Sequence, residues 1–248
     1  MKPIHTFALS LLLAATSAFS ATAVPAPAPA APASGVMPDL AHPWTPEEFA
    51  TAADLASTKV PLLTYATPAG KAFFDRLTSM DILSALTDRK VPVKERIHQS
   101  SQMVAANGHL LAAYLAAAND SQTLHAEITA GMVLELTFSA QNAILASQFL
   151  VTANSQDPKV IALKAHLDTS LSNLCKKALA MMLVAHFQTP KEIAYELQTM
   201  STNIVLMNVF FTPTTRVALR QQLTAMRTQL PDEPSRQLDD KIVAALAG

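Results

Sequence analysis

Glu95-Arg96-Ile97-His98 is the place in this sequence where residue types and spacing come nearest to metal chemistry. A Glu and a His three residues apart share one face of a helix, and di-metal helical bundles use that motif twice, with two further Glu. Here it occurs once. His98, Gln102 and His109 fall on one helical stripe, and Glu127 or Glu135 would add a carboxylate from a neighbouring helix. The metal alternative is therefore a transition ion held by Glu95, His98, His109 and Glu127, with Glu135 in reserve. The competing expectation needs no ion: His109 is buried and hydrogen-bonded to the Glu127 carboxylate.

Other chemistry is poorly marked. The sequence holds no P-loop, no Gly-x-Ser-x-Gly elbow, no His-Glu-x-x-His and no Cys-x-x-Cys. No catalytic or cofactor-binding residue can be named, and a hydrolase with an unrecognised site ranks last. Cys175 is the sole cysteine. Lys176 and Lys177 would activate an exposed thiol, but Cys175 lies beside Leu171, Leu174 and Leu179, so a buried structural role is expected.

The elements that would position these residues are helices. Half the chain is hydrophobic, aromatics are 6%, glycines number 5, and alternating strand patterns are missing. Ile97 to Pro158 spans 62 residues without a Lys or Arg, with Asp120, Glu127, Glu135 and Asp157 its only formal charges. A near-neutral balance of −1 offers no basic footprint for nucleic acid, which is excluded as a partner.

Met1-Lys2 starts a weakly basic segment, Phe7–Ala15 is an apolar run, and Ala21-Thr22-Ala23 supplies small residues for cleavage before Val24. Cleavage after Ser20 is the second choice. Residues 1–23 thus read as a signal peptide, and 24–43, rich in Pro and Ala, as a disordered tether. Residues 44–248 form the domain. With one thiol and no disulfide possible, the expected compartment is the periplasm, or secretion more broadly.

Thr45-Pro46, Thr67-Pro68, Thr189-Pro190 and Thr212-Pro213 each place a hydroxyl at an N-cap and Pro at the first helical position. Glu48 and Glu192 complete two capping boxes, and Asp157-Pro158 is a carboxylate version. These starts predict helices over 46–59, 68–89, 92–118, 121–153, 158–187, 190–210, 213–230 and 235–246. Trp44-Thr45-Pro46-Glu47-Glu48 and Phe211-Thr212-Pro213-Thr214-Thr215-Arg216 resemble in part the helix starts of exported LTxxQ helical chaperones. Both lack the Gln, and helix capping accounts for the Thr-Pro, so no family is assigned.

Helix 121–153 is apolar nearly all round, which predicts enclosure by its neighbours. A membrane-spanning reading of Ile128–Val151 would leave Glu135 mid-span, at a cost of about 2.5–3.5 kcal/mol. No transmembrane segment is expected in the mature chain. Leu197–Thr215 is a second charge-free run, expected to be interior; at a surface it would form an adaptable binding face. Gly108 and Gly131 sit symmetrically about a turn at Asn119-Asp120-Ser121 and are expected to mark the closest approach of the two helices flanking that turn.

These observations predict an all-α fold: one helical-bundle domain of about eight helices behind a signal peptide and tether. The functional expectation is a non-enzymatic protein-interaction or chaperone-like module with an unidentified protein partner. A small-ligand or metal-binding bundle is the alternative.

Overall fold

A computed structural model describes residues 35–118, 124–151, 155–183 and 188–247, and every regular element among them is helical. The helices are α1 (Pro46–Ser57), α2 (Pro68–Leu77), α3 (Asp81–Thr87), α4 (Val93–Ala118), α5 (His125–Val151), α6 (Pro158–Met182), α7 (Pro190–Met207), α8 (Pro213–Met226) and α9 (Glu233–Ala245). Short 3-10 turns, Asn208–Phe210 and Arg227–Gln229, follow α7 and α8. The expected leader, most of the tether and the hairpin turn at 119–121 lie outside the described residues.

All four Thr-Pro starts act as caps. Thr45, Thr67, Thr189 and Thr212 accept a backbone N–H three residues ahead, and Glu48 and Glu192 close both capping boxes. The last helix begins earlier than the sequence suggested, because Asp232 caps it through the Ser235 N–H. The span 68–89 divides into α2 and α3. Thr78 turns its hydroxyl back to the Phe74 carbonyl, and the Ser79 hydroxyl meets Asp81, so side chains compete with the helix there.

The hairpin of α4 and α5 forms the centre. Helix α1 lies along α4 and reaches α5 through the Phe49–Phe138 edge contact at 5.0 Å. On the other side α7 packs on α5 and carries α9, while α6 touches α5, α7 and α8. Every residue from Glu127 to Leu136 is buried. His125–Gln148 is long and apolar enough to cross a membrane by length and composition, yet 78% of its apolar window is buried against the protein's own helices. Each fully buried Leu, Met or Phe there contributes about 1.5–3 kcal/mol, which explains why the helix needs no polar face.

One buried cluster draws side chains from all nine helices among the described residues, from Phe49 of α1 to Ile242 of α9. It also takes in the end of the expected tether. Met37 and Leu40 pack against the cluster, and the buried Trp44 donates its indole N–H to the Asp39 carbonyl at 2.8 Å. Residues 37–40 are therefore packed on the domain.

The glycine expectation needs correction. A Cβ on Gly131 would come 3.1 Å from Leu111 Cδ1, but one on Gly108 would meet nothing within 4 Å. The hairpin is stapled one residue earlier, where Asn107 Nδ2 donates to the Gly131 carbonyl at 2.9 Å. Neighbouring helical residues point about 100° apart, so Gly108 faces away from the seam. The tightest glycine is Gly70, whose added Cβ would fall 2.0 Å from the Thr64 carbonyl oxygen.

Three substitutions test this packing by thermal or urea unfolding. Gly108→Ala should stabilise by about 0.5–1 kcal/mol through helix propensity alone. Gly131→Ala must displace the fully buried Leu111 and should cost about 1 kcal/mol net. Gly70→Ala, forced against backbone, should cost about 3 kcal/mol.

Candidate functional site

The structure separates the expected metal ligands. Glu95 and His98 are exposed on the first turns of α4. His109 is exposed too, and its Nδ1 lies 3.1 Å from Asp54 Oδ1 of α1, so it is neither buried nor bonded to Glu127. The helical stripe holding His98 and His109 faces α1 and solvent rather than the hairpin seam. Glu127 is buried and accepts the Tyr65 backbone N–H at 2.6 Å. Among the described residues no three His, Cys, Asp or Glu side chains gather into a group that could hold an ion.

Glu127 instead fastens the α1–α2 loop. Together with the Tyr114 hydroxyl, which donates to the Leu63 carbonyl, it ties that loop to the hairpin. Tyr65 then stacks on Phe74, with ring centroids 4.7 Å apart. Glu135, the reserve ligand, accepts from Asn107 Nδ2 at 2.6 Å. Burial pushes its carboxyl above the usual range, against the pull of Asn107 and Lys177.

A third fastening joins α5 to α7. Gln188 donates its amide both to Thr129 Oγ1 at 3.0 Å and to Glu196 Oε2. Glu196 is fully buried, and its other oxygen has no protein partner among the described residues. Burial pushes its carboxyl up to about 8, with the Gln188 hydrogen bond acting the other way. One turn nearer the helix starts, His125 Nδ1 meets Glu192 Oε1 at 2.7 Å. Burial alone would raise the Glu192 carboxyl; the Thr189 N–H and His125 outweigh it and hold the group below the usual range. Cys175 is buried, and burial pushes its thiol up to about 12, which leaves it protonated and unreactive at neutral pH.

The surface holds a different candidate. A cleft of about 350 Å³ opens where the end of α5 meets α6 and the turn after α7, lined by Ser147, Leu150, Val151, Lys164, Val209 and Phe210. Val151 and Val209 are 84% and 66% exposed, unusual values for apolar side chains that share a wall. Val205, one turn before Val209, is 59% exposed, and Ile161, one turn before Lys164, is 53% exposed. The run Leu197–Thr215 is thus not wholly interior as expected. Met200, Ile204, Met207 and Phe211 face the core, while Val205, Leu206 and Val209 face outward.

The sequence did carry a signal for this cleft. The end of the Lys/Arg-free run and the end of the charge-free run line it together, leaving Lys164 as its sole formal charge. Compared with family models, curated proteins and solved structures, the chain matches none.

The buried carboxyls set a pH dependence. Glu196 keeps its proton to about pH 8 when folded and releases it in the ordinary carboxylate range when unfolded. Asp239, also buried and without a protein hydrogen-bond partner among the described residues, is raised to about 6 by burial and Asp240 against the pull of Arg227. The folded state binds the extra protons, so stability is greatest at or below the ordinary carboxylate range, falls as pH rises above it, and levels off only once Asp239 has ionised near 6 and Glu196 near 8. Glu196→Gln should raise the Tm at pH 8, change it least at about pH 4, and flatten the profile between the ordinary carboxylate range and about pH 8.

Proposed function

We propose that this protein is an exported, non-enzymatic helical module that acts by binding another protein at the cleft between α5, α6 and α7. The supporting observation is the exposed apolar side chains around that cleft, Val151 and Val209 above all. Scattered apolar residues on a surface need no explanation, but a contiguous group beside a concavity marks an interaction surface. Concavity matters because a pocket gives an anchor side chain complete burial, the usual origin of interface energy. The inner face of α7 is held by Met200 and Met207, both buried, so the outer face is free to adapt without loosening the core.

Export enters from the leader-like residues 1–23 and from the single cysteine. The metal-binding alternative is reduced to Glu95 and His98, which a helix keeps one turn apart on an exposed face.

Site-specific photo-cross-linking in the exporting cell tests the reading. A cross-linker at position 209 or 151 should yield a discrete protein adduct, and one at Asp54 on the far face of α1 should not. Adducts of equal yield from all three positions, or none from any, would contradict it.

A further inference from the structure

The geometry points to an acidic amphipathic segment as the occupant of the cleft: apolar anchors one helical turn apart, with an Asp or Glu side chain beside them that meets Lys164. This rests on the reading of the cleft as a protein-binding surface and adds the chemistry of the partner.

Charge is the first constraint on the occupant. Lys164 is the only charged residue lining the cleft, and no carboxylate balances it there. The natural partner would be Asp168, one turn later on α6 and so on the same helix face. Asp168 is already committed. Its Oδ1 accepts the Thr212 N–H at 2.9 Å, and its Oδ2 accepts the Thr215 hydroxyl at 3.1 Å, tying α6 to the start of α8. Asp157, at the start of α6, is spent capping that helix through the Lys159 N–H at 2.8 Å. The acidic groups nearest along the chain are therefore turned to capping, and an ammonium group stands beside apolar walls with no ion-pair partner among the described residues.

The shape supplies the rest. The elements that line the cleft carry exposed apolar side chains at one-turn spacing, Val205 on α7 before Val209 in the turn that follows, with Ile161 one turn before Lys164 on α6. Such spacing suits a helical segment whose anchors recur at the same interval, the helix-in-groove mode of recognition. A volume of about 350 Å³ accommodates a pair of large apolar side chains rather than a whole domain edge. A basic amphipathic segment would place its charge against Lys164 and is disfavoured.

Fluorescence anisotropy with the purified protein decides the matter. Two acetylated and amidated helical peptides would carry the same Leu and Phe anchors and differ only in having Glu or Lys beside them. A third, with Gln there and a free C-terminal carboxylate, and dodecanoate as a competitor probe the other sources of a carboxylate.

The Glu peptide should bind about tenfold more tightly than the Lys peptide at low salt, the size expected when one exposed ion pair replaces one like-charge contact. That gap should narrow as salt is added. Lys164→Glu should reverse the order, Lys164→Gln should erase it, and Val209→Glu should weaken both peptides, all with the Tm unchanged. Equal binding of both peptides, with Val209→Glu still abolishing both, would overturn the acidic-partner inference and leave the cleft as a docking site. Preference for the free-terminus peptide, or dodecanoate binding without any peptide binding, would also overturn it. If nothing binds, the inference and the reading of the cleft fall together.

Discussion

The structure depends on enclosing a helix that has no polar face. Residues Glu127 to Leu136 of α5 are buried without interruption, and α4, α6 and α7 pack against the helix, with α1 touching it through Phe49. A helix apolar on all sides gains from contact in every direction, so nothing in its own pattern tells it which neighbour belongs where. That choice falls to the polar groups buried with it. Glu127 selects the loop at Tyr65, Glu135 selects Asn107, and Thr129 with Gln188 and Glu196 selects α7. Each would be costly to bury unpaired, so a shifted register is penalised at three heights along one helix.

This specificity has an electrostatic consequence. None of these carboxyls has a cation within ion-pair distance among the described residues, because the seam around α5 is nearly devoid of Lys and Arg. Lys177 is the nearest exception: burial lowers its ammonium below the usual range, and the field of Glu135 works against that shift. Amide N–H donors satisfy one oxygen of each carboxyl, and burial raises Glu135 and Glu196 above the usual carboxylate range. The same scarcity of positive charge that allows α5 to be enclosed makes the bundle prefer mild acid. It also isolates Lys164 at the cleft, where the helical core reaches the surface.

Much of the fold was legible in the sequence because its strongest signals are local. A Thr-Pro cap or a capping box is decided by residues within one turn, and all four Thr-Pro starts stand where they were read. The all-helical class and the burial of α5 followed from composition and periodicity. What failed to read were relations between distant segments. Helical phase separates Asn107 from Gly108 by about 100°, and only the packed hairpin shows which of them faces the seam. His109 was assigned to Glu127 because both lie near the same level, yet α1 brings Asp54 to it, and a loop residue far along the chain takes Glu127. The cleft was legible only in part, for the same reason. Its walls come from the ends of two apolar runs, and apolar character does not reveal where the covering helices stop.

Hydrogen–deuterium exchange in detergent-free buffer tests the enclosure of α5 most directly. Amides from Glu127 to Leu136 should exchange only through global unfolding, more slowly than those of α8 or α9, with no lipid or detergent present. Fast exchange across that segment, or protection that appears only on adding lipid or detergent, would contradict it.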